Sequence, residues 1–409
     1  MAGNQTIATL WARDSLFVVC YFDLFMNETY FLAIETSCDD TSVAVMRATE
    51  EKGKLKKIEA LSNVVSSQTE LHAGYGGVYP FLAKREHQKN LPVVFEQSIK
   101  DIDISKIKFI AVTKGPGLDP CLWAGINFAQ DLAKKYNLPL AGANHLEAHF
   151  LANLLTLGVG EEEFAKNYLP AVCLVVSGGH TLLFLAKAIG DYQLLGQTVD
   201  DAAGECFDKA ARILGLGYPG GPEIAKFAAY HSVEVKPPLD LLKRRFNKSR
   251  SSGGLTSTTF TASEPLLVKL PRPMMRQKNY NFSFSGLKTA ILYFHQKQTE
   301  KTKKMPEYLQ AMSYEIQQAI VEVLVSKTAR AAKEFAVRSI IIGGGVSANP
   351  ALRQAMQKAA DELKIRFLSP AVNLSVDNAA MAGVAGYFAF RRGETVSSDE
   401  LQAQPNLGI

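Results

Sequence analysis

The chain lacks any paired-cysteine motif. Its five cysteines, Cys20, Cys38, Cys121, Cys173 and Cys206, are odd in number, widely scattered and free of C-x-x-C spacing. That excludes a disulfide framework and a zinc ribbon, and it fits a reducing compartment. The pattern G-x-x-x-x-G-K-[ST] is also missing, which argues against a P-loop ATPase. Heptad runs and short-period repeats are absent as well. The apolar stretch Ser15 to Met26 is broken by Asp23 and falls short of the roughly 20 residues a membrane-spanning helix needs. Arg13 is followed at once by Asp14, so the basic start of a signal peptide is lacking too. Residues 1–28 therefore read as an N-terminal extension that does not direct export, and no membrane partner and a cytoplasmic location are expected.

What is present is the composition of a globular protein, 47% apolar and 21% charged, in a chain of 409 residues long enough for two cores. The net charge of +5 is unevenly placed. Ten Lys/Arg against three acids lie between Ser232 and Tyr280, a local +7 that leaves −2 for the rest. Such a segment suits either a solvated insertion or a phosphate-contacting surface for nucleic acid.

Two segments share one plan. Phe31 to Met46 reads as strand, tight polar turn (SCDD) and strand, and Ala171 to Ala186 repeats it around SGGH. A third signal, the strand at Ser339 running into Gly343-Gly344-Gly345, precedes a helix start at Asn349-Pro350. The expectation is a duplicated α/β fold with a cleft between halves at 29–160 and 161–409, the second carrying the basic insertion at about 232–280.

Asn144 to His149 (NHLEAH) follows a short strand and precedes an apolar helical run. Asn144 is placed to cap that helix, which sets His145 and His149 four apart on one face. Two imidazoles at that spacing can grip one metal ion. Glu147 lies about 200° round the helix from His145 and cannot act as the base of an H-E-x-x-H protease, so that reading is weak. Two histidines under-coordinate a metal, and Asp377 in SVDNAAM is the best third candidate, although an Asp at a helix start is commonly a cap. Ser177-Gly178-Gly179 offers backbone N–H groups an anion can approach, as does the Gly343–Gly345 run. The carboxylates of Asp200, Asp201, Glu205 and Asp208 near one helix have a bland account, a solvated face.

The series IETSCDD (34–40), GPG (115–117), NHLEAH (144–149), LVVSGGHT (174–181), DDAAGECFDKAARILGLGYPGGP (200–222), FSFSGLKT (282–289), GGGVSAN (343–349) and DNAAMAG (377–383) closely resembles the TsaD/Gcp family, the tRNA N6-threonylcarbamoyladenosine transferases. The likeness runs in order from about Phe31 to about Gly393. It implies an ASKHA (actin, hexokinase, Hsp70-like) fold that transfers the threonylcarbamoyl group from threonylcarbamoyl-AMP to adenosine 37 of tRNAs reading codons that begin with A. It implies that His145, His149 and Asp377 hold a divalent metal, iron (Fe2+) ahead of zinc. Val175, Val176, Ser177, Gly178 and Gly179 would bind the phosphate or threonylcarbamoyl part. Asp208, Gly221 and Asn349 would hold the ribose and adenine of threonylcarbamoyl-AMP or of ATP/ADP, and Asp39 would lie near the reacting group. It further implies a silent paralogue (TsaB-like) and a small P-loop ATPase (TsaE-like) as partners besides tRNA. A tyrosine that reaches the metal in archaeal relatives is replaced by Val175, which leaves a coordination position open. The alternatives are another ASKHA-fold ATP-dependent kinase, which would need no histidine-bound metal, and a non-catalytic scaffold paralogue, which would lack the histidine pair.

Overall fold

The computed structural model describes residues 26–234 and 268–409. The N-terminal extension and most of the basic segment, including Lys236 and Lys243 to Arg250, lie outside the described residues. The chain forms two compact units. One comprises residues up to Gln68, Tyr79–Leu169 and Pro370–Ile409, and the other Thr69–Val78 and Pro170–Ser369.

In the first unit, β1 (Met26–Glu35), β2 (Asp40–Glu51) and β3 (Lys54–Ser67) form an antiparallel meander. Lys52 and Gly53, both with positive φ, make the two-residue turn between β2 and β3. β4 (Ile107–Gly115) pairs parallel to β1, and β5 (Leu140–Asn144) pairs parallel to β4. The sheet order is β11-β5-β4-β1-β2-β3, with the short β11 (Thr395–Val396) antiparallel at the edge. The second unit repeats the plan. β6 (Ala171–Val176), β7 (Thr181–Ala188) and β8 (Asp191–Gln197) form a meander. β9 (Ser339–Gly343) and β10 (Arg366–Leu368) then add in parallel on the other side of β6, in the order β10-β9-β6-β7-β8. The helix Asp119–Tyr136 carries the chain from β4 to β5, and the helix Pro350–Leu363 carries it from β9 to β10. This is a mixed α/β fold in which the two units repeat one sheet plan.

The inner strands are apolar because both faces are covered. Leu32, Ile34, Val43, Val45, Ile110 and Val112 are fully buried in one core, and Val172, Leu174, Val176, Phe207, Phe282 and Tyr308 in the other. Burying each such side chain contributes about 1.5–3 kcal/mol.

One expectation is corrected. Residues 370–409, read from the sequence as part of the second half, belong to the first unit. The cause is the small-residue face of the helix Ala379–Arg391 (AAMAGVAGYFAFR). A Cβ on Gly386 would stand 2.3 Å from Ala111 Cβ, and one on Gly383 would stand 2.8 Å from Met46 Cγ. The helix therefore lies directly on the sheet of β1, β2 and β4, a fit that requires glycine at 386, while at 383 a larger residue would have to displace the Met46 side chain. Among the described residues, no helix is long and apolar enough to cross a membrane.

Candidate metal centre and phosphate loop

The helix His145–Leu157 starts at Asn144, whose side-chain oxygen accepts from the N–H groups of Leu146 (2.9 Å) and Glu147 (3.3 Å). The same side chain donates to the Gly408 carbonyl (2.7 Å), so the helix start is fixed from two directions. His145 and His149 are both buried, with rings edge-to-face at 4.6 Å between centroids. Asp377 precedes the helix Ala379–Arg391. The cap of that helix is Asn378, whose side chain accepts from Met381 N–H (3.1 Å), and this leaves Asp377 to other work. Asp377 Oδ1 lies 3.2 Å from His149 Nε2 and 3.7 Å from His145 Nε2. One ligand atom from each of the three side chains falls within 4.8 Å of the others.

Both ring nitrogens of His149 are buried and meet no hydrogen-bonding geometry, although Asp377 is close. A buried polar atom left so costs on the order of 1–3 kcal/mol, and a cation on the Asp377 side would satisfy the nearer nitrogen, Nε2. Two imidazoles and one carboxylate form a donor set that first-row divalent metals take, with positions left open. The residues present fit such an ion.

His145 Nδ1 faces Glu35 Oε2 (3.4 Å) and Ser37 Oγ (3.2 Å). Glu35 is fully buried and also accepts from Ser37 N–H (2.6 Å) and from the Thr113 hydroxyl. Burial opposes a charge on His145, but the carboxylates of Asp377 and Glu35 outweigh it and raise its pKa to about 9. His149 is held below its ordinary value by burial and by the neighbouring His145. Burial works against the charge on Glu35 too, and His145 overcomes it, so the Glu35 pKa is lowered. Sequence reading missed Glu35, Ser37 and Thr113. The available signal was a carboxylate ending an otherwise apolar strand, FLAIE.

Asp39 sits half-buried in the β1–β2 turn, where its carbonyl accepts from Gln68 N–H (3.1 Å). Its neighbour Asp40 is raised to about 7 by burial, with Asp377, Asp39 and Glu35 adding to it against a hydrogen bond from Ser67. Below this turn His87 is buried, bonded to Thr41 Oγ1 (2.8 Å) and the Cys38 carbonyl (3.0 Å).

In the second unit, Ser177 to His180 form the β6–β7 turn. Ser177 N–H donates to the His180 carbonyl (2.8 Å), and His180 N–H donates to Ser177 Oγ (3.1 Å). A Cβ on Gly178 or Gly179 would meet nothing within 4 Å, so this face of the loop is open. The opposite face is closed by Gly204, whose N–H donates to the Ser177 carbonyl (3.1 Å). Val175 and Val176 are buried and paired with Leu182 and Thr181 in β7. Their side chains belong to the core.

Asp208 Oδ1 accepts from Gly220 N–H (2.7 Å), which ties the helices Ala203–Leu214 and Gly220–Glu234 together beside Gly221. Asn349 caps the helix Pro350–Leu363 through Ala351 and Leu352 N–H, and its amide donates to Gln317 Oε1 (2.9 Å). Asp200 accepts from the hydroxyls of Ser283 and Ser285 and from the N–H groups of Phe284 and Ser285. Burial resists its charge, and those donors win and lower its pKa. Lys209 pairs with Asp201 and Glu205, each at 2.8 Å. Asp200 therefore joins its segment to residues 283–285, while Asp201 and Glu205 stay with Lys209 on their own segment.

Comparison with known proteins bears on this arrangement. The family model for TsaD, tRNA N6-adenosine threonylcarbamoyltransferase, matches residues 59–384. A protein of that name from Thermosipho africanus is 44% identical over 381 residues, covering 92% of this chain and 99% of its own. The Bacillus subtilis protein of the same name is 39% identical over 387 residues, covering 94% and 96%. These matches favour a transferase acting in tRNA modification over a sugar kinase or a silent scaffold. The chain belongs to the tRNA N6-adenosine threonylcarbamoyltransferase family.

Proposed function

We propose that the protein transfers the threonylcarbamoyl group of threonylcarbamoyl-AMP to N6 of adenosine 37 in tRNAs reading codons that begin with A, in the cytoplasm. The observation that carries this reading is the convergence of His145, His149 and Asp377 within 4.8 Å in a chain of this family. These three side chains would hold one divalent metal, iron ahead of zinc. When bound, such an ion supplies Lewis acidity toward the acyl carbonyl or the threonyl carboxylate.

The chain's own residues do the rest. The open N–H face of Ser177 to Gly179 receives the phosphate, where glycine lets an anion approach the backbone. Asp208 and Gly221 flank the ribose and adenine, and Asn349 contributes through the helix start it caps. Asp39 stands by the reacting carbonyl. The amine N6 forms a bond to the carbonyl carbon, the bond from that carbon to the phosphate oxygen breaks, and AMP leaves while N6 gives up a proton. The basic stretch near 232–280 seats the tRNA backbone, and a TsaB-like paralogue and a TsaE-like ATPase act with the chain.

Nucleoside mass analysis of unmodified tRNA incubated with the protein, threonylcarbamoyl-AMP and those partners tests the reading. Formation of N6-threonylcarbamoyladenosine, lost in His145→Ala and Asp377→Ala, is expected. Absence of product with partners bound refutes it.

A further inference from the structure

We infer that Glu35 is the positioning carboxylate of the metal centre, holding His145 Nδ1 so that Nε2 is the nitrogen offered to the ion beside Asp377. The inference rests on the metal reading above and deepens it. His145 is the only one of the two imidazoles whose far nitrogen meets an acceptor in this arrangement. Its Nδ1 stands between Glu35 Oε2 (3.4 Å) and Ser37 Oγ (3.2 Å), and its Nε2 lies on the Asp377 side. His149 has no such support, for both its ring nitrogens are without hydrogen-bonding geometry. Its ring packs edge-on against the His145 ring. The orientation of the pair is therefore set through His145.

Glu35 is built for that task. It is 0% exposed, and a carboxylate taken out of water is costly unless it is bonded and paired. Its donors come from separate elements. Ser37 N–H comes from the β1–β2 turn, the Thr113 hydroxyl from β4, and the His145 ring from the helix after β5. Three elements thus fix one carboxylate against one imidazole. A strand end that needed only to fill space would carry another Ile or Val, as its neighbours do. An outer carboxylate on a ligating histidine sets which nitrogen keeps the proton and makes the other a better donor to metal.

The test is a Co2+ titration of the full, metal-free chain followed by visible absorption, alongside thermal melts of the same metal-free samples. Glu35→Gln puts an amide where a pure acceptor stood, and Co2+ affinity should fall about 10- to 100-fold. A purely structural role predicts a lower melting temperature in the metal-free state with Co2+ affinity of the folded protein within twofold of wild type, and that result overturns the inference. Thr113→Val, which frees the carboxylate without altering it, covers the case in which Glu35→Gln does not fold. A loss of about three- to tenfold is then expected, and unchanged affinity overturns the proposal. His149→Ala should abolish Co2+ binding in every background. If the wild-type chain itself binds no Co2+, the metal reading fails first and this inference falls with it.

Discussion

Replacing Gly204 with alanine tests how the proposed phosphate loop is held. Gly204 lies in the first turn of the helix Ala203–Leu214, where alanine is intrinsically favoured by up to about 1 kcal/mol. Propensity alone therefore predicts a more stable protein. The structure predicts the reverse. A Cβ built there would stand 2.5 Å from the Ser177 carbonyl oxygen and 2.8 Å from the Gly178 nitrogen and Cα. Those are backbone atoms, and no side-chain rotation relieves the contact. Overpacking of this kind costs about 1–3 kcal/mol. Against the propensity gain the net loss should be up to about 2 kcal/mol, or up to roughly 8 °C in melting temperature for a unit of 150–250 residues. The displaced atoms are those of the proposed phosphate loop, so AMP affinity should fall as well. Gly178→Ala is the matched control. Its Cβ meets no protein atom within 4 Å, so the melting temperature should stay within about 1 °C while AMP binding weakens. Thermal unfolding by circular dichroism and AMP binding by calorimetry read both effects. A Gly204→Ala protein that melts at or above wild type with unchanged AMP affinity would refute the packing argument.

Three further outcomes are expected. Since His145 in the metal-free protein keeps its proton up to about pH 9, metal must displace that proton. Co2+ affinity should rise about tenfold per pH unit from pH 7 toward 9, and the stability that charged His145 lends the metal-free fold, complete below its unfolded pKa of about 6.5, should fade over the same rise. A pH-independent affinity contradicts this. Asp40 ionises near pH 7 in the fold and near 3.8 by its ordinary value, so its charge opposes folding increasingly between those limits. Asp40→Asn should out-melt wild type by a margin that grows from pH 4 to pH 7 and then levels, and a constant margin would show that Asp40 is not the titrating group. Asp200→Ala removes the acceptor for four donors on the 283–285 segment, a loss of about 1–2 kcal/mol once solvent competition at this partly exposed site is allowed for. Urea titration would measure it, and a change within 0.3 kcal/mol, about the error of such comparisons, would refute the clamp.

Much of this was legible in the sequence because it rests on local rules. The strand–turn–strand signals at Phe31–Met46 and Ala171–Ala186 appear as the paired β1–β2 and β6–β7 hairpins. Asn144 and Asn349 are helix caps, as residue type and position require. The i,i+4 histidines share a face, because helix geometry alone settles that. What stayed hidden depends on distant parts of the chain. Nothing near Glu35 tells a buried carboxylate from a polar strand end, since its meaning comes from Thr113 and His145. Asp200 looked like part of a solvated face because its partners, Ser283 and Ser285, lie some eighty positions on.

The third member of the candidate metal cluster, Asp377, shows why this division is physical. Spacing could propose Asp377 only as an acid at a helix start, where a capping role is the commoner one. Two later facts decide its place. Asn378 takes the cap, so the preceding carboxylate need not turn back on its own helix. Gly386, which has no room for a Cβ against Ala111, and Gly383 beside Met46 then let that helix lie close to the sheet of the first unit. Asp377 stands 3.2 Å from His149 at the start of a helix whose glycines let it lie against β1, β2 and β4. The candidate ligand is one residue, but the pattern AAMAGVAG that follows sets the helix behind it against the sheet, and a small-residue stripe shows its purpose only against the strand it touches.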